Sequence, residues 1–195
     1  DLCSVDWLLT NLERERGMEI GSVDVMPIIE TARGQDAARA IAQAGTRIKR
    51  LSFGAGDYTK DLGMEWSLTE HELASMRSEM VVASRLGLLE PPIDTVFIHI
   101  KEDDAFRVSC ELVRDLGFQG KLCIHPDQIV TANTAFTPTG EQLAFAKKVI
   151  EAFAEAEAAG SASIQIDGYF VDYPIVDKAQ RIVDIAEAIA RVEAA

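Results

Sequence analysis

The stretch IKRLSFGAGD, residues 48–57, decides the fold. A short apolar run enters a pair of glycines and ends on a carboxylate, and residues 58–62 resume a helical composition. That is the grammar of a buried strand turning directly into a helix. Upstream, VDVMPIIE (23–30) has the same form and also ends on an acid, Glu30. TARGQDAARAIAQAG follows it, with Ala37, Ala38, Ile41 and Ala42 at helical spacing. Downstream, Ile93 to His99 reads as a third strand and KLCIHP, ending at His125, as a fourth. Helices over residues 69–87, Asp104 to Leu116 and Asp127 to Ala132 separate or follow them, the last opened by Pro126. Strands alternating with helical crossovers imply a mostly parallel sheet, which carries its chemistry at the C-terminal strand ends. Those ends hold Glu30, Asp57, His99 with Lys101, and His125.

The flanking segments differ. Residues 1–17 read as a helix with Leu8, Leu9 and Leu12 on its apolar side, stopped by Gly17. In the helix from residue 69, Leu73, Met76, Met80, Val81 and Ser84 share a side, and Thr69 with Glu72 has capping-box spacing. In the helix from Asp104, Phe106, Cys110, Val113 and Leu116 point inward. From Phe136 the strand-helix rhythm ends. A helix over Glu141 to Ala159 is followed by two short extended pieces turning at Asp167-Gly168, a strong hairpin signal, and by a last helix from Pro174. Residues 1–135 therefore form a (β/α) region and 136–195 a helical extension with a hairpin, suited to a lid or an intersubunit arm. Four β/α units cannot close a barrel. Either the sheet is open or about half of an eight-stranded barrel lies outside this sequence.

The 195 residues carry a formal net charge of -13, which argues against a nucleic-acid partner. Three dispersed cysteines without CxxC spacing suit a reducing compartment such as the cytoplasm. No run is long and apolar enough for a membrane span, and the acidic N-terminal segment is not a secretory signal.

Glu30 and Asp57 are the leading site candidates. Two carboxylates closing consecutive parallel strands supply hard oxygen ligands suited to Mg²⁺ or Mn²⁺. The competing reading is that each caps the helix after its strand. Gly54 and Gly56 would let a ligand approach the backbone, or serve only a tight turn. No GxGxxG or Walker pattern is present. Arg33 could meet a substrate carboxylate or an acidic neighbour. His125 could donate to a ligand or be structural, and His71 reads as solvated. Asp172, ahead of Tyr173 and Pro174, reads on spacing alone as a helix N-terminal carboxylate.

Taken together, PIIETARG, LSFGAGDYTKDLG, PIDTVFIHI, LGFQGKLCIHPDQI, NTAFTPTGEQ and IDGYFVDYPIVDKAQRI resemble the citrate lyase beta subunit-like branch of the HpcH/HpaI aldolase/citrate lyase family. The resemblance implies a TIM barrel of the phosphoenolpyruvate/pyruvate type, of which this chain carries strands five to eight and the C-terminal extension, assembled as homotrimers or homohexamers. Strands one to four, an acidic DLED-like segment and a substrate-holding arginine would lie outside the sequence. It implies that Glu30 and Asp57 are Mg²⁺ ligands. It also implies that Asp172, in GYFVD where relatives have a GKMID-like segment, is the catalytic acid reached across a subunit boundary, with Tyr169 at the lysine position. The implied activity is carbon–carbon bond cleavage in a malyl-, citramalyl- or citryl-type CoA thioester. Two alternatives stand beside it: a metal-dependent aldolase on a free 2-oxo or hydroxy acid without coenzyme A, and a non-catalytic assembly or regulatory protein on the same barrel.

Overall fold

Four strands lie side by side in sequence order, all parallel: β1 (Ile28–Ile29), β2 (Ser52–Phe53), β3 (Ile93–Asp94) and β4 (Gly120–Lys121). Helices connect them: α2 (Ala32–Ala42) between β1 and β2, and α5 (Asp103–Leu116) between β3 and β4. Between β2 and β3 run α3 (Ala55–Leu62), a 3₁₀ turn (His71–Leu73) and α4 (Ala74–Leu86). α1 (Leu2–Glu15) precedes the sheet and α6 (Asp127–Phe136) follows it. The computed structural model describes residues 1–194.

The sheet forms because its strands are covered by helices whose apolar positions recur at 3.6-residue spacing. Leu51, Phe53, Leu73, Met76, Met80 and Val113 are sealed from solvent in one cluster. Phe97, Phe106 and Cys110 form a second. Burial pushes the Cys110 thiol up to about 12, which makes it an inert packing group.

The regular ladder is shorter than the apolar runs. β2 and β3 share one register pair, Ser52 with Ile93. Beyond Asp94 the chain leaves the ladder, because Phe97 buries its ring against Phe106 and residues 98–102 turn through the Ile100 and Glu102 amides. His99 and Lys101 thus stand beyond the strand end, and His125 stands four residues past Lys121.

Other expectations are corrected locally. Thr69 and Glu72 do not form a capping box. Glu72 accepts from the Ser67 N–H and hydroxyl, while the Thr69 hydroxyl meets His71 Nδ1. His71 is solvated, with its side chain 80% exposed. Leu8 and Leu12 are exposed, as is Leu116 at the end of α5. α1 is tied down through polar groups instead: Arg47 donates to Asp6 Oδ1 (2.7 Å), Glu13 Oε1 (2.5 Å) and Thr10 Oγ1 (2.8 Å).

The chain divides into two compact units after Phe136. In the second, α7 (Gly140–Ala158) opens with a complete Thr139–Gln142 capping box. β5 (Ile164–Ile166) and β6 (Tyr169–Val171) pair antiparallel around Asp167 (φ +49°) and Gly168 (φ +86°). Two consecutive left-handed residues are what a two-residue hairpin turn demands, which Asp-Gly meets at small cost. α8 (Tyr173–Glu193) packs Ala179 and Val183 with Val149, Phe153, Ile166 and Val171. No described helix is long and apolar enough to cross a membrane.

Candidate metal centre

Glu30 follows β1 directly, one residue before the cap of α2. The capping reading fails for it. Thr31 is the N-cap, its Oγ1 accepting the Gly34 N–H at 3.0 Å, and Asp61 Oδ2 accepts the Ala32 N–H at 2.8 Å. The Ala32 and Gly34 amides of the first turn of α2 are therefore served without Glu30. The half-buried Glu30 side chain instead lies over the next strand's exit. A β-carbon at Gly54 would stand 2.8 Å from Glu30 Oε2, 2.9 Å from Glu30 Cβ and 3.0 Å from Ile28 Cγ2. A side chain there would force both Glu30 and Ile28 to shift.

Gly54 is the N-cap of α3 and has no side chain to cap with (φ -114°, ψ 95°). Asp57 sits in the first turn of that helix and is exposed. Among the described residues neither Glu30 nor Asp57 has a hydrogen-bond or ion-pair partner. Among the described residues the Gly56 and Asp57 amides also lack a protein acceptor, so the first turn of α3 presents open N–H groups at Asp57. The Ala55 N–H is the exception: buried, it donates to Thr95 Oγ1 at 2.8 Å.

The donor set fits a hard divalent cation. Carboxylate oxygens with no protein partner are the donor type such a cation takes. No third His, Cys, Asp or Glu joins them in a metal-binding group among the described residues. Two carboxylates leave the remaining positions to water and substrate oxygens, as Mg²⁺ prefers. Arg33, exposed at the start of α2, has no ion-pair partner among the described residues.

His125 Nδ1 accepts the Asp127 N–H at 3.3 Å, which supports the start of α6. His99 rests edge-on against Phe97 with ring centroids 5.6 Å apart, and its Nε2 is buried without a partner among the described residues. In the second unit, half-buried Asp172 is the N-cap of α8 by position, but its carboxylate makes no cap hydrogen bond. Pro174 removes the N–H at the second helical position. The Ile175 N–H goes to the Asp172 carbonyl oxygen, leaving the carboxylate uncommitted.

One cluster escaped the reading of the sequence. Arg77 donates to Glu70 Oε2 (2.7 Å) and to both Asp94 oxygens (3.1 and 2.9 Å), and Lys121 Nζ donates to Asp94 Oδ2 (2.5 Å). The Ser109 hydroxyl donates to Glu70, and all five side chains are buried. Burial alone would lower the Arg77 pKa, but Asp94 and then Glu70 hold it above its ordinary value. Glu70 accepts a left-handed backbone (φ +53°) at the place where its carboxylate enters the cluster. The available signal was a charge at the head of each of two apolar runs, Asp94 and Lys121, since a charge that becomes buried there requires a partner.

A four-stranded parallel sheet joined by helices, with one unpartnered carboxylate directly after β1 and another in the first turn of the helix after β2, defines an α/β protein. The chain belongs to the HpcH/HpaI aldolase/citrate lyase family, whose profile matches residues 1–126. It is 33% identical over 193 residues to the citrate lyase subunit beta of Haemophilus influenzae, covering 99% of this chain and 66% of that protein. It is 31% identical to the L-malyl-CoA/beta-methylmalyl-CoA lyase of Cereibacter sphaeroides, covering 97% of this chain and 64% of that one. Among solved structures it is similar to the Mycobacterium tuberculosis protein CitE in complex with magnesium, acetoacetate and coenzyme A. The TM-score there is 0.72 at 26% identity, over 86% of this chain and 62% of the other. The chain thus spans less than two thirds of the length of these relatives.

Proposed function

We propose that the protein is a Mg²⁺-dependent carbon–carbon lyase acting on a 3-hydroxy-acyl-CoA thioester of the malyl, citramalyl or citryl type. The observation that carries this reading is the pair of unpartnered carboxylates, Glu30 packed against Gly54 and Asp57 in the turn that Gly54 begins. Relatives named as citrate lyase subunit beta and as malyl-CoA lyase support the reaction class. A similar structure holding magnesium and coenzyme A supports the cofactor and the thioester. The four strands are read as strands five to eight of an eight-stranded barrel. The protein is read as a cytoplasmic homotrimer or homohexamer.

Glu30 and Asp57 hold the cation, with Mn²⁺ able to replace Mg²⁺. When bound, Mg²⁺ polarises the hydroxyl and carboxylate oxygens of the acid portion and so favours cleavage of the adjacent carbon–carbon bond. The free Gly56 and Asp57 amides at the helix N-terminus suit an anionic substrate oxygen. Asp172, supplied from a neighbouring copy, gives a proton to the thioester enolate carbon. A carboxyl acting as an acid near neutrality needs removal from water, and its freedom from capping leaves it available for that.

The test is turnover by the complete protein of malyl-CoA and citramalyl-CoA against the corresponding free hydroxy acids, with Mg²⁺ and after chelation. Thioester cleavage that stops on chelation is expected. Cleavage of the free acids alone would reassign the substrate class, and no cleavage of any would remove the enzymatic reading.

A further inference from the structure

We infer that Thr95 is a positioning residue for the metal turn, capping α3 from the segment that follows β3 because Gly54 cannot. This inference rests on the metal reading of Glu30 and Asp57. The close contact at position 54 sets the geometry of the turn. Glu30 occupies the space a side chain would need there, so the N-cap of α3 has to be glycine. A glycine N-cap offers no oxygen to the first helical amides, which have no intrahelical acceptor. Gly56 and Asp57 are exposed and can be solvated, but Ala55 is fully buried. Its N–H needs a protein acceptor, and Thr95 Oγ1 supplies it at 2.8 Å.

The β2–β3 ladder has already ended where this bond forms. Ser52 and Ile93 are the last register pair, and the Ile93 N–H donates to the Leu51 carbonyl below it. A threonine hydroxyl thus continues the strand contact after the backbone has turned into a helix. Thr95 is itself 1% exposed and follows Asp94, which Arg77 and Lys121 hold in place. The acceptor is fixed by the buried ionic cluster, and the donor lies two residues before Asp57.

The test compares wild type, Thr95→Val, Thr95→Ser and Asp57→Asn in the complete protein. Two readouts are used: amide hydrogen exchange at Ala55 without metal, and Mn²⁺ affinity by electron paramagnetic resonance. Valine keeps the shape of threonine but lacks the acceptor. Faster exchange at Ala55 and Mn²⁺ affinity weaker by about tenfold are expected, the scale of one lost hydrogen bond. Serine should restore both. A Thr95→Val protein that keeps wild-type exchange and affinity, while Asp57→Asn loses Mn²⁺, overturns the positioning role alone. Mn²⁺ binding that is absent in wild type or indifferent to Asp57→Asn overturns the metal reading and this inference with it. If the valine protein does not fold, Thr95→Ala removes the same acceptor and is judged by the same outcomes.

Discussion

Asp94 and Lys121 face each other in register on adjacent parallel strands, and Lys121 Nζ donates to Asp94 Oδ2 with both side chains shut off from solvent. Arg77 Nη1 in the same cluster has no partner among the described residues. Breaking one member of a buried charge group strands the others, and the cost is large because the remaining charge stays desolvated. Lys121→Met is expected to lower the unfolding free energy by about 3–5 kcal/mol. Urea denaturation followed by circular dichroism reads it. Adding Asp94→Asn to Lys121→Met should recover part of the loss, since the two changes share one interaction.

Gly54→Ala should damage the centre without unfolding the protein. The new methyl meets the Glu30 carboxylate and β-carbon, so the glutamate must swing away from the turn. Mn²⁺ affinity is expected to fall by about tenfold or more, the scale of a core overpacking error. Titration calorimetry on the complete protein measures it, and unchanged affinity would refute the contact.

Asp172→Asn separates chemistry from stability. The carboxylate makes no cap hydrogen bond, so the substitution should move the unfolding free energy by no more than about 0.5 kcal/mol. If Asp172 supplies the proton, kcat should fall by about 10²–10⁴-fold with little change in KM. A stability loss with kcat intact would return it to a structural role.

The attachment of α1 should weaken in acid. The Glu13 carboxyl lies at about 2 rather than its ordinary 4.5, chiefly because Arg47 and the Gly21 N–H donate to it. A lowered carboxyl contributes stability that is complete above about pH 4.5 and lost as pH falls through about 2. Protection factors of the amides in residues 2–15, taken relative to the intrinsic exchange rate at each pH, should therefore fall on acidification across that window. Glu13→Gln should remove most of the dependence.

What could be read in advance follows physical range. Glu30 and Asp57 stood out because each acid closes an apolar run, a feature contained in eight or ten consecutive residues. The Asp167-Gly168 hairpin was legible for the same reason. Strand lengths were not, because an apolar run without alternation does not mark its own end, and β3 ends where packing of a more distant residue, Phe97, takes over. Leu8 and Leu12 showed a helical stripe, but a stripe does not reveal whether anything covers it. Thr69 had the spacing of a cap, and Ser67 took Glu72 through geometry that spacing cannot rank. The partnership of Thr95 with Ala55 and of Arg77 with Asp94 depends on how β2, β3 and α4 align, across separations that local pattern does not span.

The backbone at Gly54, with φ at -114°, is one that any residue can adopt. The glycine is thus required by the bulk of Glu30 and not by the turn. Positions 30 and 54 share a single volume, and that ties what either position can hold to the other. A β-carbon at 54 meets Glu30 Cβ at 2.9 Å and Ile28 Cγ2 at 3.0 Å as well as the carboxylate, so shortening the acid alone does not free the space, and a larger residue at 54 needs positions 28 and 30 to yield together.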